Sequence, residues 1–331
     1  MTRLAIIGAG VMGVTHARVL QEIPDASVGW IVDQDLDRAE ALARNLGARA
    51  TSNYLDALNT NDIDAVLVTT PTPFHRTVVE LAAAHGKHVF CEKPIARTIK
   101  DAEAMIATCD RAGTRLMVGH VVRFSPESER IKETLEAGTL GQIGVARATR
   151  VGRTPALTRA WFGDTTQSGG VVVDLMIHDL DTMIWYFGDV ERAYAHVTHS
   201  GYAQAIVRFV SGVIAHLEAS WAHARFRTTF EVAGQYGVVN YDSDDSAAFR
   251  LDLFGDNGSA FVERKPAWTD RPYLLQMQHF LDRLADSAPF FVDGVDGQRA
   301  LEAALAVLAS SRSGRPIHFE NGRPISKEIE T

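Results

Sequence analysis

Short apolar runs alternate with amphipathic stretches along the first third of the chain. Arg3–Gly8, Ser27–Val32, Ala65–Thr70, His88–Cys91 and Arg115–Gly119 read as strands. Between them, Val11–Glu22, Leu36–Leu46, Arg76–His85 and Ile99–Ala112 carry apolar residues at helical spacing. Strands separated by helices of this length form βαβ units and a parallel sheet. Ala65-Val66-Leu67-Val68 is apolar on both faces, as a sheet covered on both sides requires.

Beyond residue 120 the texture changes. Val145–Val151 and Ala193–His199 read as strands. Gln204–Phe209, Val213–Ser220, Thr228–Ala233 and Gly237–Tyr241 follow at short spacing with Gly-containing turns, which predicts an antiparallel meander. Helical patterns interrupt it at Val171–Phe187, Tyr273–Ala285 and Gln298–Ser311. The predicted fold is an α/β N-terminal domain with a doubly wound parallel sheet over residues 1–120. An α+β domain with a large, mainly antiparallel open sheet follows over residues 121–331. The 331-residue length also favours two domains over one core.

Composition narrows the classes. A chain that is 46% hydrophobic and 22% charged is not disordered. The net charge of −8 lacks the overall footprint of a nucleic-acid binder. The two cysteines, Cys91 and Cys109, form no CxxC pair, so neither a zinc site nor a disulfide framework is expected. No signal-peptide pattern opens the chain and no apolar run is long enough for a membrane span. These features predict a cytoplasmic protein that handles small molecules, without nucleic-acid, membrane or metal partners.

Gly8-Ala9-Gly10-Val11-Met12-Gly13 follows the first strand and opens the first helix, which is where a dinucleotide-binding turn belongs. Gly8 permits the turn, Gly10 lets backbone approach a pyrophosphate, and Gly13 lets helix pack on strand. Val11 and Met12 supply N–H groups at the helix start. Asp33 ends the second apolar run, placed to accept hydrogen bonds from the adenosine ribose and to repel a 2′-phosphate. The expected cofactor is therefore NAD rather than NADP. Thr70 and Pro71, beyond the end of a strand, are expected to line the ribose and nicotinamide side. His75 either joins them or serves the first turn of the next helix as a cap.

Glu92-Lys93-Pro94 also follows a strand. Lys93 has two readings: a donor that stabilises the alkoxide forming on a substrate, or a surface lysine paired with Glu92. A cis Lys93–Pro94 bond fits a proline at this point. Asp174 and His178, four apart on a mostly apolar helix after Gly169-Gly170, are expected to share a face. A histidine there suits removal of a hydroxyl proton, with a carboxylate to orient it. The bland alternative is a satisfied core histidine.

Together the GxGxxG start, the Thr-Pro loop before His75, Glu92-Lys93-Pro94 and Asp174-x-x-x-His178-Asp179 resemble the Gfo/Idh/MocA family of NAD(P)-dependent oxidoreductases. Gly314-Arg315-Pro316-Ile317 resembles that family's usual ending. The resemblance implies hydride transfer between a secondary alcohol of a sugar, polyol or inositol and the nicotinamide. It implies a catalytic set of Lys93, Asp174 and His178, with Glu92 and Lys93 at the cofactor. Arg123 sits in a Gly-x-x-x-Arg-Phe segment like the family's; it contacts a ligand or forms a structural salt bridge. Arg150, Arg153 and Trp161 precede the catalytic segment, as ligand-binding or sheet-surface residues; Trp161 offers a flat face to a sugar ring. Asp179 and Asp181 read as structural. Val171 stands where family members often have a third glycine. Relatives of this kind also include glycosidases that retain NAD and, as a further alternative, non-catalytic NAD-binding proteins. The family's sheet face implies a homodimer or homotetramer.

Overall fold

The computed structural model describes residues 1–198, 201–245, 249–253, 260–263 and 271–325. It divides into two compact units, Met1–Phe124 with Asp270–Gln298, and Ser125–Thr269 with Arg299–Thr331.

The first unit runs β1 (Thr2–Ile7), α1 (Val11–Leu20), β2 (Ala26–Val32), α2 (Leu36–Arg44), β3 (Arg49–Thr51) and α3 (Tyr54–Leu58). It continues β4 (Ala65–Val68), α4 (His75–Ala84), β5 (His88–Glu92), α5 (Ile99–Ala112) and β6 (Leu116–Gly119). The sheet is parallel, in the order β3-β2-β1-β4-β5-β6. The order reverses between β1 and β4, the switch point at which open α/β sheets bind ligands. All four residues of β4 are buried, as its two-sided apolar pattern predicts. Asp35 caps α2 by accepting from the Arg38 N–H, and Thr98 caps α5 by accepting from the Asp101 N–H. No side chain caps α1. β3 and α3 are additions to the predicted elements. Neither has an apolar run long enough to show a period.

The predicted boundary at residue 120 moves to Phe124/Ser125, and Asp270–Gln298 returns to the first unit. Helix Arg271–Asp286 places Met277, Phe280 and Leu281 in one apolar cluster with Leu4, Ile6, Phe90 and Met117. The Val118 N–H on β6 donates to the Val292 carbonyl at 3.1 Å. Periodicity identifies this helix and its apolar face, but not which core that face covers.

The second unit carries β7 (Ile143–Arg153), β8 (Val190–Thr198), β9 (Tyr202–Phe209), β10 (Ile214–Ser220) and β11 (Ala222–Gly234). β12 (Gly237–Asp242), β13 (Phe249–Leu253), β14 (Ala260–Glu263), β15 (Ile317–Glu320) and β16 (Arg323–Pro324) complete it. Among the described residues the order is β14-β13-β12-β11-β7-β10-β9-β8-β15-β16. Only the β7–β10 pair is parallel. Along β9 buried and exposed residues alternate, so one sheet face is covered and one open. His199, the predicted end of one strand, lies outside the described residues.

The predicted helix Val171–Phe187 is two elements. Val172–Met176 forms a π-helical turn, and a regular α-helix runs over Ile177–Phe187. Gly169 and Gly170 precede it with φ of 77° and 67°. Such π-turns occur frequently at functional sites, and this one contains Asp174.

Candidate active site

The turn between β1 and α1 is shaped by three glycines with different constraints. Gly8 has φ of 109°, and a Cβ there would stand 2.6 Å from the Thr69 carbonyl carbon. A Cβ on Gly13 would stand 2.0 Å from the Gly8 oxygen. The Thr69 hydroxyl locks the same turn, at 2.7 Å from the Gly8 oxygen and 3.1 Å from that of Ile7. Gly10 is the reverse case: a Cβ there would meet no protein atom within 4 Å. The space beside it is open. The first N–H groups of α1, from Val11 and Met12 onward, carry no side-chain cap and present the positive end of the helix dipole there.

Asp33 stands at the end of β2. Its Oδ2 accepts from the Ala9 N–H at 2.7 Å and its Oδ1 from the Asp35 N–H at 3.0 Å. The carboxylate therefore braces the glycine turn. Thr70 and Pro71 follow β4 half-buried, and the buried Thr70 hydroxyl has no hydrogen-bond partner among the described residues. The open Gly10, the uncapped helix start and this hydroxyl fit a dinucleotide.

Lys93 follows β5, and the Lys93–Pro94 bond is cis, as the sequence suggests. Glu92 does not face outward. It is 6% exposed; Oε1 lies 2.6 Å from His16 Nε2 and Oε2 accepts the Lys93 N–H at 3.2 Å. His75 is the first residue of α4, and its buried ring faces backbone carbonyls outside the helix. Nδ1 lies 3.0 Å from the Pro94 oxygen and 3.3 Å from that of Ile95, while Nε2 lies 2.9 Å from the Thr70 oxygen. The ring lies between the segment after β4 and the segment after β5. Burial lowers its pKa, against the pull of the three carbonyls and Glu92. Sequence reasoning missed His16. Its one signal is a polar residue among the buried positions Ala17, Val19 and Leu20 of α1.

In the second unit Asp174 lies in the π-turn and His178 is the second residue of the following helix, both half-buried. The next residue, Asp179, is anchored by Arg150 on β7. Nη2 of Arg150 donates to Oδ1 at 2.8 Å, and Nε stands 3.1 Å from both oxygens. Burial raises the Asp179 pKa and the guanidinium opposes it. Arg150, expected at the substrate, is thus held in a buried ion pair. Arg123, in the first unit, is 4% exposed and pairs with Asp296 at 3.3 Å, the structural alternative. Trp161 is half-buried, its ring 4.0 Å from that of Phe162 and tilted by 36°. Arg153 is exposed. Among the described residues no helix is long and apolar enough to cross a membrane.

Residues 2–120 match the oxidoreductase family with an NAD-binding Rossmann fold, and residues 128–240 match the GFO/IDH/MocA C-terminal domain. The chain belongs to the Gfo/Idh/MocA oxidoreductase family. Its N-terminal unit is the family's NAD-binding Rossmann domain, and the protein is an oxidoreductase that uses NAD. It is 31% identical to a myo-inositol 2-dehydrogenase of Thermotoga maritima, over 96% of this chain and 98% of that one. It is 29% identical to a D-apiose dehydrogenase of Paraburkholderia graminis, over 96% and 89% of the two chains. Among solved structures, a probable dehydrogenase from Thermotoga maritima superposes with a TM-score of 0.83 at 28% identity, covering 96% and 98%.

Proposed function

We propose that this Gfo/Idh/MocA member oxidises a secondary alcohol of a sugar, polyol or inositol, with NAD as acceptor. The observation that carries the reading is the end-to-end likeness to a relative named myo-inositol 2-dehydrogenase. NAD, when bound, supplies the nicotinamide that takes the hydride from the carbinol carbon. Gly8, Gly10, Val11, Met12 and Gly13 receive the pyrophosphate, Asp33 the adenosine ribose, and Thr70 and Pro71 the nicotinamide side. Asp33 also repels a 2′-phosphate, which favours NAD over NADP. Lys93 donates to the reacting oxygen and stabilises its developing negative charge. His178 takes the hydroxyl proton, and Asp174 orients the ring and stabilises its cation. Trp161 offers an apolar face to the sugar ring.

Arg150 and Arg123 are taken up by Asp179 and Asp296. Of the three arginines expected near the substrate only Arg153 is exposed, which favours an uncharged substrate. The buried free cysteines support a cytoplasmic setting. Ile206 and Ile214, exposed on neighbouring strands β9 and β10, support self-association through the open sheet face as a homodimer or homotetramer. The test is a panel of myo-inositol, D-apiose, neutral hexoses and sugar phosphates offered with NAD and with NADP. NADH formation on a neutral polyol or sugar is the expected result. Turnover confined to sugar phosphates, or to NADP, would overturn it.

A further inference from the structure

We propose that the buried His16–Glu92 pair is the positioning element for Lys93, and that it couples the dinucleotide-binding helix to the lysine. His16 lies on α1, three residues after Gly13. The ring is fully buried and caged edge-on by Phe90 and Tyr273, with centroids 5.1 and 6.0 Å away. Its position is therefore that of α1 itself. Nε2 reaches Glu92 Oε1 at 2.6 Å, a charge-assisted length, and the other carboxylate oxygen accepts the Lys93 N–H. A Cβ on Gly119 of β6 would stand 3.2 Å from that second oxygen, so a third element hems it in.

A buried carboxylate is costly unless its acceptor sites are filled. Here both oxygens are filled, one from α1 and one from the lysine's own backbone. The carboxylate has little freedom to rotate without breaking one of the two. The peptide that launches the Lys93 side chain is therefore held in register with the helix that opens on the glycine turn. Beyond Lys93, His75 holds the Pro94 and Ile95 carbonyls. Packing alone does not call for such a pair, because apolar residues of similar volume commonly serve stability as well or better. Its location, bonded to the lysine's own backbone N–H, gives it a use.

The inference rests on Lys93 acting at the substrate oxygen, but one arm of its test does not. The full chain is made with His16→Leu, which fills the apolar cage without a donor, and with His16→Gln, which restores an N–H near the Nε2 position. Hydrogen exchange of the Cys91–Ile95 amides is measured in NAD alone, and kcat and KM are measured with myo-inositol. His16→Leu is expected to speed exchange at Cys91–Ile95 and to lower kcat by up to about 100-fold, the cost of a displacement near 1 Å. KM for NAD should change little, and His16→Gln should restore both readouts. If His16→Leu does not fold, His16→Ala replaces it. Unchanged exchange in the donor-less variant, or a kcat loss that His16→Gln leaves in place, would overturn the proposal. A wild-type protein inert to every neutral alcohol would instead contradict the proposed function, and the exchange arm would still decide this one.

Discussion

Arg150 and Asp179 show how a residue's partner decides its role. Both are nearly inaccessible, and their bidentate contact lies beside His178 in the chain. Removing one partner leaves a buried charge uncompensated. Arg150→Met should therefore cost about 3–5 kcal/mol in urea unfolding, and Arg150→Met with Asp179→Leu should recover most of it. A single variant as stable as wild type would contradict the account. From the sequence alone Arg150 was a candidate for substrate because a guanidinium suits hydroxyls and phosphate equally well. Its carboxylate lies 29 positions away, on another element, and spacing along one helix or strand says nothing about such pairs. The same reason hid His16 and Glu92, separated by 76 positions. The place of Asp33 beside the glycine turn was legible because its position after the second strand is set by the motif itself.

Within the β1–α1 turn, two glycines of one motif have opposite tolerances. Gly10→Ala meets no protein atom, so stability should fall by no more than about 1 kcal/mol, the scale of an N-cap change. NAD affinity should drop sharply, because the methyl enters the space proposed for the pyrophosphate. Gly13→Ala drives a Cβ into the Gly8 oxygen and should lower stability itself by about 1–3 kcal/mol. Calorimetry with and without NAD separates the two, and a Gly10→Ala variant with unchanged NAD affinity would contradict the reading. The larger elements of this unit were legible because buried parallel strands and amphipathic helices leave strong periods. β3, three residues long, leaves none. The π-turn was also hidden. Val172–Met176 is as apolar as an ordinary helix, and the one-residue widening that places Asp174 has no compositional mark.

At the scale of the whole molecule, the parallel and antiparallel halves were visible in the change of texture near residue 120. The return of Arg271–Asp286 to the first unit was not, since an apolar stripe fits either core. Lys93 belongs to the first unit, and Asp174 and His178 to the second. In the proposed chemistry Lys93 holds the oxygen and His178 removes its proton. The most direct test measures NAD binding and NADH formation side by side in wild type, Lys93→Ala and His178→Ala, on the alcohol that the wild type turns over best. The account predicts that both variants bind NAD as wild type does and form NADH at least about 100-fold more slowly, the scale of a lost acid–base group. Undiminished NADH formation in both variants would contradict it.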